Sequence, residues 1–151
     1  MRAIIIFISL IFLLPPQGGH YRLAVSISGL KPLKGDLYIS LHNRPVYFQY
    51  ADSALMKTKI GVNAETETIF FDNVPEGRYA IAIYHDENLN GKMDVNELGI
   101  PIEGYGFSSN PRGPGRPKFD QAAFDLNRND TIEVKMIYHK DPDKNTDSNK
   151  N

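Results

Sequence analysis

The segment ETETIFFDNVPEGRYAIAIYHD, residues 65–86, carries the strongest β-strand pattern in the chain. Alternating side chains predict one strand from Glu67 to Phe71, and Pro75 and Gly77 are typical of a turn. A second strand is predicted from Arg78 to His85. Both of its alternating sets of side chains are largely apolar, as expected for a strand that is covered on both faces. The segment therefore predicts a central strand of an all-β domain.

Other segments show the same two-residue period. Residues 21–43 predict an antiparallel hairpin, and residues 131–138 predict a closing strand. Residues 44–63 are less regular, and we expect one short helix around residues 50–58. Residues 98–118 are rich in Gly and Pro, which predicts mostly irregular structure. At least five strands without a long helix favour a single antiparallel β-sandwich.

The N-terminus has the pattern of a secretory signal peptide. Arg2 is followed by an apolar run from residue 3 to residue 14 and then by the small residues Gly18 and Gly19. Such a run is too short to span a bilayer as a helix; an uncleaved anchor or a buried segment is the alternative. We expect a signal peptide at 1–19, a β-sandwich domain at 20–138 and a disordered polar tail at 139–151. Export would place the protein in the periplasm or outside the cell, with no membrane span after cleavage.

Charge and cysteine content exclude several classes of function. The chain has 17 basic and 18 acidic residues and no cysteine. This near-neutral balance does not favour nucleic acid as a partner. The absence of cysteine excludes disulfides, thiolate metal sites and an N-terminal lipid anchor on cysteine. We expect a monomer that is stabilised by its core, and by a bound ion if one is present.

The segment DENLNGKMDVNE, residues 86–97, matches the pattern of a twelve-residue calcium loop. Calcium takes six to eight oxygen ligands, so a tightly wound loop with oxygen side chains at alternate positions suits it. The glycine at position 91 suits the positive φ that the chain reversal requires. The predicted ligands are the side chains of Asp86, Asn88, Asn90 and Asp94, the backbone carbonyl of Lys92 and, as a bidentate carboxylate, Glu97.

The flanking sequence excludes the helix–loop–helix setting of such loops. A predicted strand precedes the loop, and Gly and Pro residues follow it, so no exiting helix is expected. A structural calcium ion of modest affinity, on the order of 10⁻⁵ to 10⁻³ M, is the cofactor expected of such a loop. The alternative is an Asx-rich turn that satisfies its own backbone and binds nothing.

The run from residue 79 to residue 126 resembles a bacterial protein family. Its segments YHDENLNGKMD and GIPIEGYGFSSN, followed by GPGRPKFDQAAFDL, are similar to the signature of the DUF2141 family of exported proteins. The resemblance extends from about residue 21 to residue 138. It implies a β-sandwich similar to transthyretin-like and carboxypeptidase-regulatory-like domains, and it implies no particular activity.

Three functional hypotheses remain open. The first is a non-enzymatic, exported binding module with a structural calcium loop, which acts at the cell envelope on a protein, a small ligand or a glycan. The second is a hydrolase that uses His85 and neighbouring carboxylates, which requires a pocket beside that histidine. The third is a carbohydrate-binding module, which requires a shallow groove lined by tyrosines.

Overall fold

The computed structural model describes residues 18–48, 50–113 and 115–139. Two sheets enclose one core: a three-stranded sheet in the order β4-β1-β8, and a five-stranded sheet in the order β3-β2-β5-β6, with β7 paired to the start of β5. The strands are β1 (His20–Ser28), β2 (Asp36–His42), β3 (Met56–Gly61), β4 (Thr66–Pro75), β5 (Gly77–Asp86), β6 (Gly104–Phe107), β7 (Phe124–Leu126) and β8 (Asp130–Lys135), and a one-turn helix, α1 (Phe119–Ala122), precedes β7.

The predicted all-β sandwich is confirmed. Neighbouring strands are antiparallel except for β1 and β8, which run parallel with Val25 opposite Ile132. Within the described ranges, no helix is long and apolar enough to cross a membrane. The predicted signal peptide and the predicted tail lie almost entirely outside the described residues.

Strand β5 is the central strand that the sequence predicts. It pairs with the whole of β2, from His42 opposite Ala80 to Asp36 opposite Asp86. Its other edge pairs first with β7 and then with β6. Since successive side chains of a strand point to opposite faces, one set of β5 residues enters the core and the other lies on the outer face of the sheet.

The core lies between the two sheets and is made of the alternating apolar residues of the longer strands. Their side chains are almost completely buried. Burial of each large apolar side chain stabilises the folded state by about 1.5–3 kcal/mol. Its central members are Leu23, Val25 and Ile27 of β1, Leu37, Ile39 and Leu41 of β2, Ile69 and Phe71 of β4, Ile81 and Ile83 of β5, and Val134 of β8.

The predicted hairpin over residues 21–43 is wrong. Strands β1 and β2 exist, but they belong to different sheets. The intervening residues 29–35 cross from one sheet to the other, with Leu30 buried and its backbone N–H bonded to the carbonyl of Glu65 at 3.1 Å. Alternation correctly predicts which side chains enter the core, but it does not specify the partner of a strand.

The prediction of a helix around 50–58 also needs correction, whereas the described part of 98–118 is mostly irregular as predicted, with one short strand. Residues 45–47 and 51–53 form single 3₁₀ turns, and β3 begins at Met56. Residues Gly104–Phe107 form strand β6 because the free edge of β5 supplies its hydrogen bonds. A side chain at Gly104 would run into the ring of Tyr138, so the glycine allows close packing of the two sheets there.

A second, smaller cluster covers part of the outer face of the five-stranded sheet. We call it the aromatic cap; it packs on the first half of β5. Phe48 lies edge-on to Phe107 and to Phe119, with ring centroids 6.0 and 5.8 Å apart. The buried members are Phe48, Ala80, Phe107, Phe119 and Ala122.

Candidate metal centre

The last residue of β5 anchors the loop. Asp86 is completely buried on the outer side of the strand. Its Oδ1 accepts the N–H of Asn90 at 3.0 Å, and its Oδ2 accepts the N–H of Gly91 at 2.7 Å. One carboxylate therefore winds the next five residues into a compact turn, and Gly91 adopts the expected positive φ of 81°.

Two asparagine amides converge on Asp94. The Nδ2 atoms of Asn88 and Asn90 donate to the same oxygen, Oδ2 of Asp94, at 2.7 and 2.8 Å. Each amide oxygen also accepts a backbone N–H two residues ahead, that of Asn90 or of Lys92, both at 3.0 Å. The amide oxygen of each asparagine keeps a second lone pair, so it can serve a cation as well.

Lys92 has a largely exposed side chain that reaches only the outer edge of the predicted ligand set. Its ammonium is 4.0 Å from Oδ1 of Asp94, and the side chain is 73% exposed. Exposed ion pairs of this length contribute little to stability. The Lys92 ammonium therefore does not occupy the interior of the loop, where the oxygen atoms of the other side chains lie.

Glu97 lies outside this convergence. Residues 94–102 form a small hairpin, in which the N–H of Ile102 bonds the carbonyl of Asp94 at 3.0 Å and that of Asn96 bonds the carbonyl of Ile100 at 2.9 Å. Glu97 is exposed at the turn of this hairpin. The structure thus brings together Asp86, Asn88, Asn90 and Asp94, and leaves the role of Glu97 as a prediction.

A carboxylate that the pattern did not include lies beneath the loop. Glu103 is 4% exposed, and its two oxygens accept the N–H of Glu87 at 2.9 Å and that of Asp94 at 3.0 Å. It lies outside the twelve-residue pattern, within the segment predicted to be irregular. Only the pairing of β5 with β6 brings it beside the loop, so its sequence signal was weak.

The base of the loop is a strongly anionic, buried environment. The β5–β6 register ends with His85 opposite Gly104. Asp86, the last residue of β5, and Glu103, the residue before β6, therefore lie next to this pair. Burial, with the neighbouring Tyr38 and then the charges of Asp86 and Glu103, raises the pKa of Tyr84 to about 12. The Tyr84 hydroxyl therefore stays protonated, and it donates to the carbonyl of Gly91 at 3.3 Å.

The donor set combines carboxylate and amide oxygens in equal number. Among the described residues, no three His, Asp or Glu side chains form a cluster that could hold a metal ion. The loop instead offers two carboxylates and two amide oxygens, with backbone carbonyls nearby. Oxygen donors of this kind fit calcium, which accepts carboxylate, amide and carbonyl ligands in flexible geometry. They do not fit a transition metal that requires imidazole or thiolate.

His85 points to the opposite face of β5. It is completely buried; its Nε2 donates to the carbonyl of Lys34 at 2.6 Å, and its Nδ1 accepts from the Tyr138 hydroxyl at 2.8 Å. That hydroxyl in turn accepts the N–H of Lys31 at 3.2 Å. Both ring nitrogens are thus engaged in structural contacts, away from Asp86, which gives the hydrolase hypothesis no support.

A shallow groove of about 420 Å³ lies on the outer face beside the loop. The rings of Tyr38 and Tyr84 stack in it with centroids 4.6 Å apart. The Lys59 ammonium lies 5.6 Å from the centroid of Tyr38 and 2.7 Å from a carboxylate oxygen of Asp36. Both faces of Tyr38 are therefore covered, which leaves little open ring surface there for a sugar to stack upon.

Comparison with known proteins gives one match. Residues 25–134 match the model of a family described as "Uncharacterized protein conserved in bacteria (DUF2141)". No curated protein and no solved structure matches the chain. The matched segment includes all eight strands of the two sheets, at least in part, and the whole 86–103 region. With most of its length matched, the chain belongs to the DUF2141 family.

Proposed function

We propose that this protein is an exported, non-enzymatic β-sandwich module whose loop from Asp86 to Glu97 binds a structural calcium ion. The observation that carries the proposal is the convergence of Asp86, Asn88, Asn90 and Asp94 on one small volume at the end of β5. The ion would be held by the oxygens of these side chains, by the carbonyl of Lys92 and by Glu97 as the sequence pattern predicts. Its charge would offset the anionic base of the loop.

The role of the ion is structural. It supplies no reaction step, because the only histidine beside the loop in sequence is buried and engaged on the other face. By binding the folded loop and not the unfolded chain, calcium would stabilise the protein by mass action. The ordered loop also carries the 94–102 hairpin, whose Val95, Leu98, Ile100 and Ile102 side chains are exposed. Such apolar side chains on the surface support a role in presenting a contact surface to an envelope partner.

Thermal unfolding tests the cation site. The protein is freed of metal with a chelator and melted alone, with calcium and with magnesium. We expect calcium to raise the Tm and magnesium to raise it much less, because magnesium requires a stricter octahedral shell and loses its water reluctantly. An equal response to both ions, or to neither, would contradict a calcium site.

A matched pair of variants locates the effect. Asp94→Asn removes the carboxylate that both asparagines face while keeping the shape of the side chain. Asp125→Asn makes the same change on β7, where the side chain is 71% exposed and 3.7 Å from Arg78. The calcium-dependent rise in Tm should be lost in the first variant and kept in the second. An unchanged rise in Asp94→Asn would place the calcium elsewhere.

A further inference from the structure

Glu103 connects two parts of the loop that are distant in sequence. Its Oε1 accepts a hydrogen bond from the N–H of Glu87, near the start of the loop. Its Oε2 accepts one from the N–H of Asp94, eight residues after Asp86. Between these two points lie Asn88 and Asn90, the residues whose amides face Asp94. One side chain therefore closes the wound part of the loop into a ring.

The contacts of Glu103 are of the strong kind. Hydrogen bonds to a charged acceptor contribute more to stability than hydrogen bonds between neutral groups. At 4% exposure, water does not compete for the carboxylate. Its backbone lies immediately before β6, which is hydrogen-bonded to β5, so the sheet fixes the chain on the C-terminal side of Glu103.

The position of Asp94 depends on this arrangement. Its N–H is bonded by Glu103, its carbonyl accepts the N–H of Ile102, and its carboxylate receives both asparagine amides. Glu103 thereby fixes the backbone of Asp94, so that the Asp94 carboxylate lies beside the side chains of Asn88 and Asn90. Groups that hold metal ligands in place typically change metal affinity by about 10–100-fold when they are replaced.

We propose that Glu103 is the positioning residue of the cation loop: it preforms the loop from the sheet side, through the amides of Glu87 and Asp94, before the ion binds. The predicted effect of Glu103 on calcium affinity rests on the proposed function. The predicted ordering of the metal-free loop by Glu103 does not. It assigns to Glu103 a role separate from that of Glu97, the carboxylate that the sequence pattern names as a ligand.

Two charge-matched variants separate the roles of the two glutamates. Glu103→Gln keeps the size of the side chain but leaves one oxygen to accept two N–H groups; Glu97→Gln makes the same change at the exposed turn. NMR hydrogen exchange of the Glu87 and Asp94 amides is measured on the chelated full chain, and calcium affinity is measured by calorimetry. Unchanged chemical shifts in the three-stranded sheet verify that each variant is folded, and Glu103→Asp serves as a milder second variant.

A positioning residue should change both readouts. In Glu103→Gln we expect at least one of the two amides to exchange about tenfold faster without metal, and calcium affinity to fall about tenfold or more. In Glu97→Gln the metal-free exchange of these amides should stay as in the wild type. Glu103→Asp, with its shorter reach, should show the same changes as Glu103→Gln to a smaller extent.

Three outcomes would overturn the inference. The first is unchanged amide exchange in both Glu103 variants, whatever happens to affinity; reduced affinity with unchanged exchange would make Glu103 a direct ligand. The second is unchanged affinity despite faster exchange. The third is faster exchange in Glu97→Gln as large as in Glu103→Gln. If the wild type binds no calcium, the proposed function fails, while the exchange data still decide whether Glu103 preforms the loop.

Discussion

The aromatic cap and the loop of residues 86–97 occupy the two ends of the same sheet face, and they are built by opposite means. The cap, on the first half of β5, is made of rings and alanines that exclude water. The loop, after the last residue of β5, is held by hydrogen bonds that backbone N–H groups donate to side-chain carboxylates. Apolar packing is complete without any ligand, whereas a ring of carboxylates and amides leaves negative charge that a cation can offset. The stability of the loop should therefore depend on the cation concentration, and that of the cap should not.

Removing a ring from the cap should have the largest effect. Phe48→Ala deletes a side chain that is 2% exposed and contacts Phe107 and Phe119. We expect a loss of about 3–5 kcal/mol in the free energy of unfolding, measured by denaturant titration. Phe70→Ala is the control, since Phe70 is 55% exposed and its replacement should cost far less. Equal losses would mean that the cap is not packed as described.

The calcium effect should be independent of the cap. At a free calcium concentration 100 times its Kd, one site stabilises the fold by about 2.7 kcal/mol. Because distant sites behave additively, Phe48→Ala should keep this increment while losing its own packing energy. Denaturant titration of the wild type and the variant, each with and without calcium, gives the four values. An increment that disappears with Phe48 would show that the two ends are coupled.

The loop contains a leucine in an unfavourable backbone conformation. Leu89 has φ 63°, a left-handed conformation that is unfavourable for leucine. Its side chain is 64% exposed, so burial of the side chain does not offset this cost. Leu89→Asn should stabilise the metal-free protein by about 1 kcal/mol, because Asn tolerates this conformation. Leu98→Asn at the exposed hairpin turn is the control and should be nearly neutral. Thermal unfolding of both variants measures the difference, and a destabilised Leu89→Asn would contradict the strain.

The smallest effect should come from the pH dependence of His42, which lies edge-on to Phe48 of the cap with ring centroids 5.3 Å apart. His42 is buried; its Nε2 bonds the Ser40 hydroxyl at 3.0 Å, and burial and then the charge of Arg116 lower its pKa. In the unfolded chain the pKa is about 6.5, so below that pH the unfolded state binds more protons and stability falls as pH decreases. His42→Gln should flatten this part of the stability profile between pH 7 and pH 5. An unchanged slope would assign the acid sensitivity to other groups.

The sequence predicted the parts of the structure that local chemistry decides. The central strand, its terminal Asp86 and the convergence of Asn88, Asn90 and Asp94 follow from alternation and from short polar side chains at alternate positions of a tight loop. The buried faces of β1 and β2 were also predicted correctly, since each strand carries its own period of two.

What remained unpredicted depends on contacts between distant segments. The partners of β1 are β4 and β8, which no local pattern specifies. Strand β6 forms in a glycine-rich segment because β5 offers a free edge and Tyr138 packs over Gly104. Glu103 becomes part of the site only through that pairing, because it lies six residues beyond the end of the twelve-residue pattern.

The most direct test is a calorimetric titration of the chelated wild-type protein with calcium, with magnesium and Asp94→Asn as controls. We expect one saturable calcium site with a Kd on the order of 10⁻⁵ to 10⁻³ M. Magnesium and the variant should give at most weak binding under the same conditions. Absence of saturable heat with calcium, together with an unchanged Tm, would contradict the cation site and leave residues 86–97 as a turn that is stabilised by its own hydrogen bonds.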